Sequence, residues 1–478
     1  MSTNGKAGVS LRFVVVGAGI AGLAAAYRLR LAGHEVCVLE KRSGPAWGPH
    51  AVTCPPNMTR ILDYWGLRPE LEAIALKRTG IMFKHCETGR PIADYEYYDW
   101  IMRDLAADYL NAQHRDLYNI LYELAMSVGV EIRFGATVVH VDPRTPTVSL
   151  SSGELVGADI IVGADGLDSL VRRCMEGASQ EESSAPLFIA GAVLDKETMT
   201  DDAELRALLS SPMATLWLGQ RKAMWGCPLP NGGGYSLKVA LPPDGYNFVE
   251  EYDNECGADQ LHIDFSSYES RLQKLIKRIK IFYPAIWKVR RPLDSLVHES
   301  KKVVLLGEAA HPIPPNMTHN TALAIEDAAV LSNLFSRIQT RGEVDQLVSA
   351  YHEIRYPRAL DILHSEVANM CLVSGLEHPY QDRLTELQDR GRRMSTVEGI
   401  PDEAPSPEFI RRWDEMIRMF NHDANDSVDE WWHTWGSLMN RATEGGMAGA
   451  GEGLLPGRRT PVVRKASMIL VQTDQTRD

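Results

Sequence analysis

Short apolar runs of strand length alternate along this chain with longer stretches in which apolar residues recur at helical spacing, and the two periods place the elements. Arg12–Val16 is a strand by its valines, 20–32 follows with helical spacing, and Glu35–Glu40 returns to a strand, which is a βαβ opening. Between Gln113 and Val128, Leu117, Ile120, Leu121, Leu124 and Ala125 fall on one helical face, with Arg115 in the first turn. From Val130 to Val162, β-branched runs are separated by turn signals such as Ser151-Ser152-Gly153, predicting a meander that ends on a buried strand at 160–162. Longer alternating strands occupy 186–265, with Asn231-Gly232-Gly233-Gly234 as a turn. A strand at 303–306 leads into Gly307-Glu308-Ala309-Ala310-His311-Pro312 and a strongly helical stretch at 320–338. Helices follow Glu343, one of them long (344–372), and a break is predicted near Pro357.

These elements predict an α/β (α+β) fold: a Rossmann-like dinucleotide-binding domain interleaved in sequence with a sheet-rich substrate domain, then a helical C-terminal region. Residues 1–185 hold the βαβ opening, the Arg115 helix and Gly163-Ala164-Asp165-Gly166; 186–295 form the sheet-rich domain; 296–375 complete the dinucleotide-binding part and carry the long helix. A helical region is expected over 376–442, and 443–478, rich in glycine and charge, reads as a disordered tail. A hydrophobic content of 44% and a charged content of 24% over 478 residues are those of an ordinary globular protein. The net charge of -13 argues against a general nucleic-acid binder. The seven cysteines are far apart, with no CxxC pair and no zinc-ligand spacing, so a reducing compartment and no metal are expected. No export signal is visible and no apolar run approaches the roughly 18 to 20 residues that span a bilayer, so the expectation is a cytoplasmic protein without a membrane span.

Gly17-Ala18-Gly19-Ile20-Ala21-Gly22 matches G-x-G-x-x-G, a weak signal alone that gains force from the strand before it, the helix after it and Glu40 at the end of the next strand. The first glycine permits the tight turn, the second lets the backbone approach a pyrophosphate, and the third allows close helix–sheet packing; Glu40 stands where a ribose-binding acid is expected. Either NAD or FAD could occupy such a site.

Gly163-Ala164-Asp165-Gly166 and Gly307-Glu308-Ala309-Ala310-His311-Pro312, each after a buried strand, resemble the two further fingerprints of group A flavoprotein monooxygenases, and all three occur in family order. Pro55-Pro56-Asn57, Arg115-Asp116-Leu117, Ala324-Ile325-Glu326-Asp327-Ala328 and Tyr351 to Ala359 carry the same resemblance, which spans about 11–375 and is similar to fungal salicylate-hydroxylase-like members. The resemblance implies FAD as cofactor and NAD(P)H as a transient co-substrate. It assigns Gly17, Gly19, Gly22, Glu40, Ala51, Arg115, Asp165, Glu308, Asn320 and Thr321 to cofactor binding: Glu40 to the adenosine ribose, Arg115 and Glu308 to the ribityl and pyrophosphate side, and Asp165 to both cofactors. An aspartate before glycine is also an ordinary turn residue.

The chain departs from the family pattern at several points. Glu308 stands where aspartate is usual, and Asn320 replaces a glycine in the turn beside the flavin's pyrimidine edge, where asparagine is expected to tolerate a positive φ. Many members of the subgroup place an arginine near Gly191 and a tyrosine near Cys227; here Arg221 and Tyr235 are the nearest substitutes. His50 and His319 are the candidate catalytic residues. His50 lies where small residues usually flank the isoalloxazine and is open to three readings: acid or base, covalent flavin ligand, or solvent-facing.

The implied activity is NAD(P)H-driven reduction of FAD, addition of dioxygen to give a flavin C4a-hydroperoxide, and hydroxylation or epoxidation of an aromatic or polycyclic small molecule, in secondary metabolism. The partners are then an organic substrate and dioxygen, with a homodimer left open. Two other readings stay open: an FAD-dependent oxidase, dehydrogenase or redox-neutral cyclase or isomerase without oxygen insertion, and an inactive flavin-binding scaffold.

Overall fold

The computed structural model describes residues 6–45, 48, 50–97, 99–176, 183–184, 187–242, 256–257, 265–285, 287–315, 317–375, 382, 384–385, 387–388 and 417–436; the tail at 443–478 and most of 376–416 lie outside them. Met1–Asp429 is one compact unit and Glu430–Asp478 a second, and the features described below belong to the first.

Five parallel strands form the sheet that carries the glycine loop, in the order Val303–Leu305, Ile160–Gly163, Arg12–Val16, Glu35–Glu40, Glu131–Phe134. Ile160–Gly163 is buried at every residue, because helices or loops cover both faces of such a sheet; this is why the run is continuously apolar and not alternating. The chain leaves Arg12–Val16 on one side for Glu35–Glu40 and later fills the other side with Ile160–Gly163. Strand order therefore reverses at the first strand, and the crevice at its carboxyl end is where open α/β sheets take ligands. The helix Ile20–Leu31 buries Ala24, Ala25 and Ala26 completely, small side chains that let it approach both the sheet and the nearly all-buried helix Asn320–Phe335. The predicted meander is the three-stranded sheet Val138–Asp142, Thr147–Leu150, Leu155–Gly157.

A second sheet has eight strands, in the order Cys256–Gly257, Ile281–Ala285, Phe188–Leu194, Tyr235–Leu241, Lys222–Pro228, Met213–Gly219, Gly80–His85, Pro91–Glu96. Its last two strands come from the N-terminal part of the chain, so the sheet-rich portion draws on more than 186–295; Gly80–His85 joins by pairing parallel to Met213–Gly219. Tyr235–Leu241 alternates between two cores. Tyr235, Leu237 and Val239 pack with Trp217, Met224 and Leu272, whereas Ala240 packs with Ile189, Leu216 and Phe83. Ser236 and Lys238 share the face of Ala240 by the two-residue repeat of a strand.

The helix Val344–Ser374 runs unbroken through Pro357, which corrects the expected break. Pro357 lacks an N–H, but Arg355 and Arg358 on either side of it are held by Asp327 and Glu326, and the Tyr351 hydroxyl donates to the Leu305 carbonyl at 2.8 Å. These anchors hold the helix on both sides of Pro357. The helix ends at Gly375, whose φ of +71° suits a left-handed cap. Among the described residues no helix is long and apolar enough to cross a membrane, and all seven cysteines are free thiols.

Candidate cofactor and substrate site

The three glycines of the first loop differ in what surrounds them. Gly17 has φ +104°, and a Cβ there would stand 2.4 Å from the Ala164 carbonyl oxygen; a Cβ on Gly22 would stand 2.0 Å from that of Gly17. Both are demanded by the protein's own packing. A Cβ on Gly19 would meet nothing within 4 Å. Gly19 precedes the helix Ile20–Leu31, whose first turn has no side-chain cap and no acidic residue, so its leading N–H groups face that open space. Such a cradle fits a diphosphate. Gly307, at φ +59°, would place a Cβ 3.0 Å from that of Ala21. The three fingerprints thus converge, Gly17 against Ala164 and Gly307 against Ala21.

The carboxylates around this cradle are held differently. Buried Glu40 accepts from the Ala18 N–H at 2.8 Å with one oxygen and from the Arg42 N–H at 2.9 Å with the other, which fixes it beside the loop with lone pairs left for hydroxyl donors. Glu308 is half-buried, has no partner among the described residues, and its pKa is raised by burial. A carboxylate drawn in from water without a donor could take hydroxyls of a bound molecule. Asp165 is occupied: Oδ1 accepts from Ser169 Oγ at 2.5 Å, and Oδ2 from the N–H groups of Leu170 and Val171 at 2.7 and 3.1 Å. It caps the helix Leu170–Glu176, and Asp165→Ala is expected to lower the unfolding free energy by about 1–2 kcal/mol in a denaturant titration. Among the described residues the Arg115 side chain, 49% exposed, has one polar partner, its neighbour Asp116, at 3.2 Å.

Asn320 does not take a positive φ; it is the first residue of the helix Asn320–Phe335, followed by half-buried Thr321. The turn closes in another way, since Asn320 Nδ2 donates to the Pro314 carbonyl at 3.2 Å while its buried Oδ1 has no partner among the described residues. His319 is buried against the long helix. Its backbone N–H and its Nδ1 both contact Glu366 Oε1, at 2.9 and 2.6 Å, and its ring stacks on Phe420.

His50 pairs with His114: the ring centroids are 4.8 Å apart, and the His114 N–H donates to the His50 carbonyl at 2.9 Å. Burial, then the other imidazole and Lys238, pushes the pKa of His50 well below its usual range; burial, then Arg42 and Lys238, takes that of His114 down to about 4. Both rings are therefore neutral hydrogen-bonding groups near pH 7. Lys238 Nζ donates to the Ala51 carbonyl at 3.3 Å, tying the eight-stranded sheet to the strand Ala51–Cys54. Burial takes this amine down to about 8, with Cys227 opposing and Arg78 assisting. The Arg78 guanidinium lies over the Tyr109 ring, 5.3 Å from its centroid, and Tyr97 stacks on Tyr109 at 4.8 Å. Tyr109 also hydrogen-bonds Tyr97 and Thr318, the latter in the turn before Asn320. Neither Lys238 nor Arg78 has a carboxylate partner among the described residues.

Neither substitute for the missing arginine and tyrosine reaches this cluster. Arg221 sits in the turn between Met213–Gly219 and Lys222–Pro228 at φ +53°. Tyr235 lies in the opposite core, hydrogen-bonded to Thr215. The polar groups near Gly191 and Cys227 are instead Lys238 and Arg78, which sequence reasoning missed. The one available signal was a lysine inside the otherwise apolar run from Leu237 to Leu241.

Buried ion pairs explain why the remaining motifs occur together. Asn57 donates to Glu326 Oε1 at 2.7 Å, and Arg355 and Arg358 bind the same carboxylate at 2.7 and 3.1 Å. Asp327 accepts from the Gly307 N–H at 2.9 Å, contacts His311 Nε2 at 2.8 Å, and takes Arg355 Nε at 2.7 Å. Two adjacent acids thereby fasten the Pro55-Pro56-Asn57 segment, the Gly307 loop and the long helix to one central helix.

A model of the family described as FAD binding domain matches residues 11–365. Among curated relatives, the FAD-dependent monooxygenase ntnJ of Nectria sp is 29% identical over 362 residues, covering 74% of this chain and 83% of the relative. The 3-amino-4-hydroxybenzoate 2-monooxygenase PtmB3 of Streptomyces platensis is 26% identical over 393 residues, covering 82% of this chain and 94% of the relative. Among solved structures, CtdE in complex with FAD and a substrate superposes with a TM-score of 0.73 at 18% identity, over 90% of this chain and 100% of that one. A salicylate hydroxylase substrate complex gives 0.68 at 15% identity, over 88% and 97% of the two chains.

Proposed function

The chain belongs to the FAD binding domain family, and from that premise we propose that it is an FAD-dependent monooxygenase that uses NAD(P)H and dioxygen to hydroxylate or epoxidise an aromatic or polycyclic small molecule of secondary metabolism. The observation that carries the cofactor reading is the open flank of Gly19 at an uncapped helix start, where the three fingerprints converge. In this reading Gly19 and the helix N-terminus hold the diphosphate, Glu40 the adenosine ribose, and Arg115 and Glu308 the ribityl side; Ala51, His50, Asn320 and Thr321 border the ring system. Bound FAD supplies the electron transfer from NAD(P)H and the activation of oxygen. The chain's own part is to seat an aromatic substrate against Tyr97 and Tyr109, to offer Arg78 and Lys238 as uncompensated positive charge, and to exclude water with the apolar sheet face. An aromatic substrate agrees with the relative named for 3-amino-4-hydroxybenzoate and the neighbour named for salicylate.

The purified holoprotein is expected to consume NAD(P)H and oxygen faster when substrate is added, and labelled dioxygen should leave its label in the product. A yellow protein that forms product without the label would instead favour an oxidase, a dehydrogenase or a redox-neutral cyclase or isomerase. That second reading draws on Gly191 and Cys227, where the arginine and tyrosine of the subgroup are lacking.

A further inference from the structure

The register of the eight-stranded sheet aligns a transverse row of directly opposed residues: Tyr283, Gly191, Lys238, Trp225, Leu216 and Phe83. Opposed residues share a face, so this row lies on one side of the sheet. It is aromatic or apolar except for Lys238, and beside Lys238 it carries no side chain of its own: a Cβ on Gly191 would lie 3.9 Å from Lys238 Cγ, the one contact within 4 Å among the described residues. Cys227 is on the same face, one diagonal step away.

We propose that Lys238 exchanges the acidic proton of the substrate, an aromatic hydroxyl, acting from the space that Gly191 leaves open. The inference rests on the monooxygenase reading of the site. The amine is anchored to the Ala51 carbonyl at 3.3 Å, which aims it at the strand next to the ring-binding loop and leaves two further positions on nitrogen. Among the described residues no carboxylate neutralises it. Among the described residues the charged and titratable groups that face it are Arg78, Cys227, His50 and His114, with Tyr283 in the same row across Gly191. The two imidazoles stay neutral, Cys227 has its pKa raised by burial, and Arg78 keeps its charge, so the amine is the group that changes protonation near neutrality. With its pKa lowered by burial to about 8, both of its forms are populated there. In the step, the substrate O–H bond breaks, its electron pair stays on oxygen, and the proton adds to the lone pair of neutral Nζ. The ammonium and Arg78 then hold the phenolate, and the proton returns when the product hydroxyl is re-formed.

The test uses FAD-loaded protein and 4-nitrophenol, whose neutral and ionised forms absorb differently. The wild type is expected to bind the probe ionised, with an affinity that falls on the alkaline side through a group near 8, as the ammonium is lost. Lys238→Met should bind the ionised probe at least about tenfold more weakly. Lys238→Arg should retain that binding while losing the alkaline limb, a change that a merely structural role would not produce. Tight phenolate binding by Lys238→Met, an alkaline limb persisting in Lys238→Arg, or a wild type that takes the probe only in its neutral form would each overturn the proposal. Flavin absorption is read on the same samples. A protein that takes up no FAD sinks the monooxygenase reading, whereas a flavin-loaded protein with an unaltered probe titration in Lys238→Met sinks only the role of Lys238.

Discussion

Gly19→Val is expected to abolish flavin retention while leaving the fold and its thermal stability nearly unchanged. Gly19 has φ −78° and ψ −177°, extended backbone that a β-branched residue adopts freely, and no protein atom stands within 4 Å of where its Cβ would go. The substitution therefore meets resistance only from whatever occupies the open space. A diphosphate drawn to the first N–H groups of the helix would be displaced by the isopropyl group, with a loss of at least about a hundredfold in FAD affinity, or roughly 2.8 kcal/mol. Gly22→Val provides the contrast. Its Cβ would stand 2.0 Å from the Gly17 carbonyl oxygen, so it should damage the fold itself and lower the melting temperature with or without flavin. Flavin fluorescence titration of both variants, beside their melting curves, separates the two effects; wild-type FAD affinity in Gly19→Val would mean that the diphosphate lies elsewhere.

The contrast also marks what was legible in the sequence. The glycine loop, Glu40 and the two later fingerprints could be read because each is a local pattern tied to one strand end, and packing within a few residues fixes its meaning. The strand Gly80–His85 could not be assigned to the second sheet, because its partner Met213–Gly219 is remote in the chain and parallel pairing leaves no turn signal between them. Asn320 was expected to tolerate a positive φ because the family has glycine there; it is instead the first residue of the helix read at 320–338, and the need for a positive φ disappears. His319 showed no sign of Glu366, a partner supplied by another helix, and so read as a candidate catalytic residue. Lys238 was visible as an odd charge in an apolar strand, but which face it served depended on register, and register is a property of the sheet and not of the strand. In each case the missing information was the identity of a distant neighbour.

Arg355→Met should be among the most destabilising single substitutions in the molecule, for the same reason. The Arg355 side chain is fully buried between Glu326 and Asp327, themselves fully buried and adjacent on one helix. Burial alone would raise both carboxylate pKa values, yet Arg358 and Arg355 hold Glu326 well below its usual range, and His311 and Arg355 hold Asp327 down. Removing the guanidinium leaves two like charges in the core with Arg358, His311 and His422 beside them, a loss of roughly 3–5 kcal/mol. The sign with pH follows from the depressed carboxylates: the stability they contribute is present above the unfolded-state pKa and lost as pH falls through the folded one. In Arg355→Met that contribution is largely absent already, and protonation of the acids relieves their repulsion. The gap between variant and wild type should therefore be widest near pH 7 and narrow towards pH 4. Adding Glu326→Gln and Asp327→Asn to Arg355→Met should recover part of the loss, and a mutant cycle would give the coupling directly. Because Asp327 also accepts from the Gly307 N–H at 2.9 Å, Arg355→Met is further expected to weaken FAD binding through the loop that carries Glu308. Denaturant midpoints measured across this pH range would settle the matter: a gap that stays constant with pH would show that the network stabilises the fold by packing and not by charge.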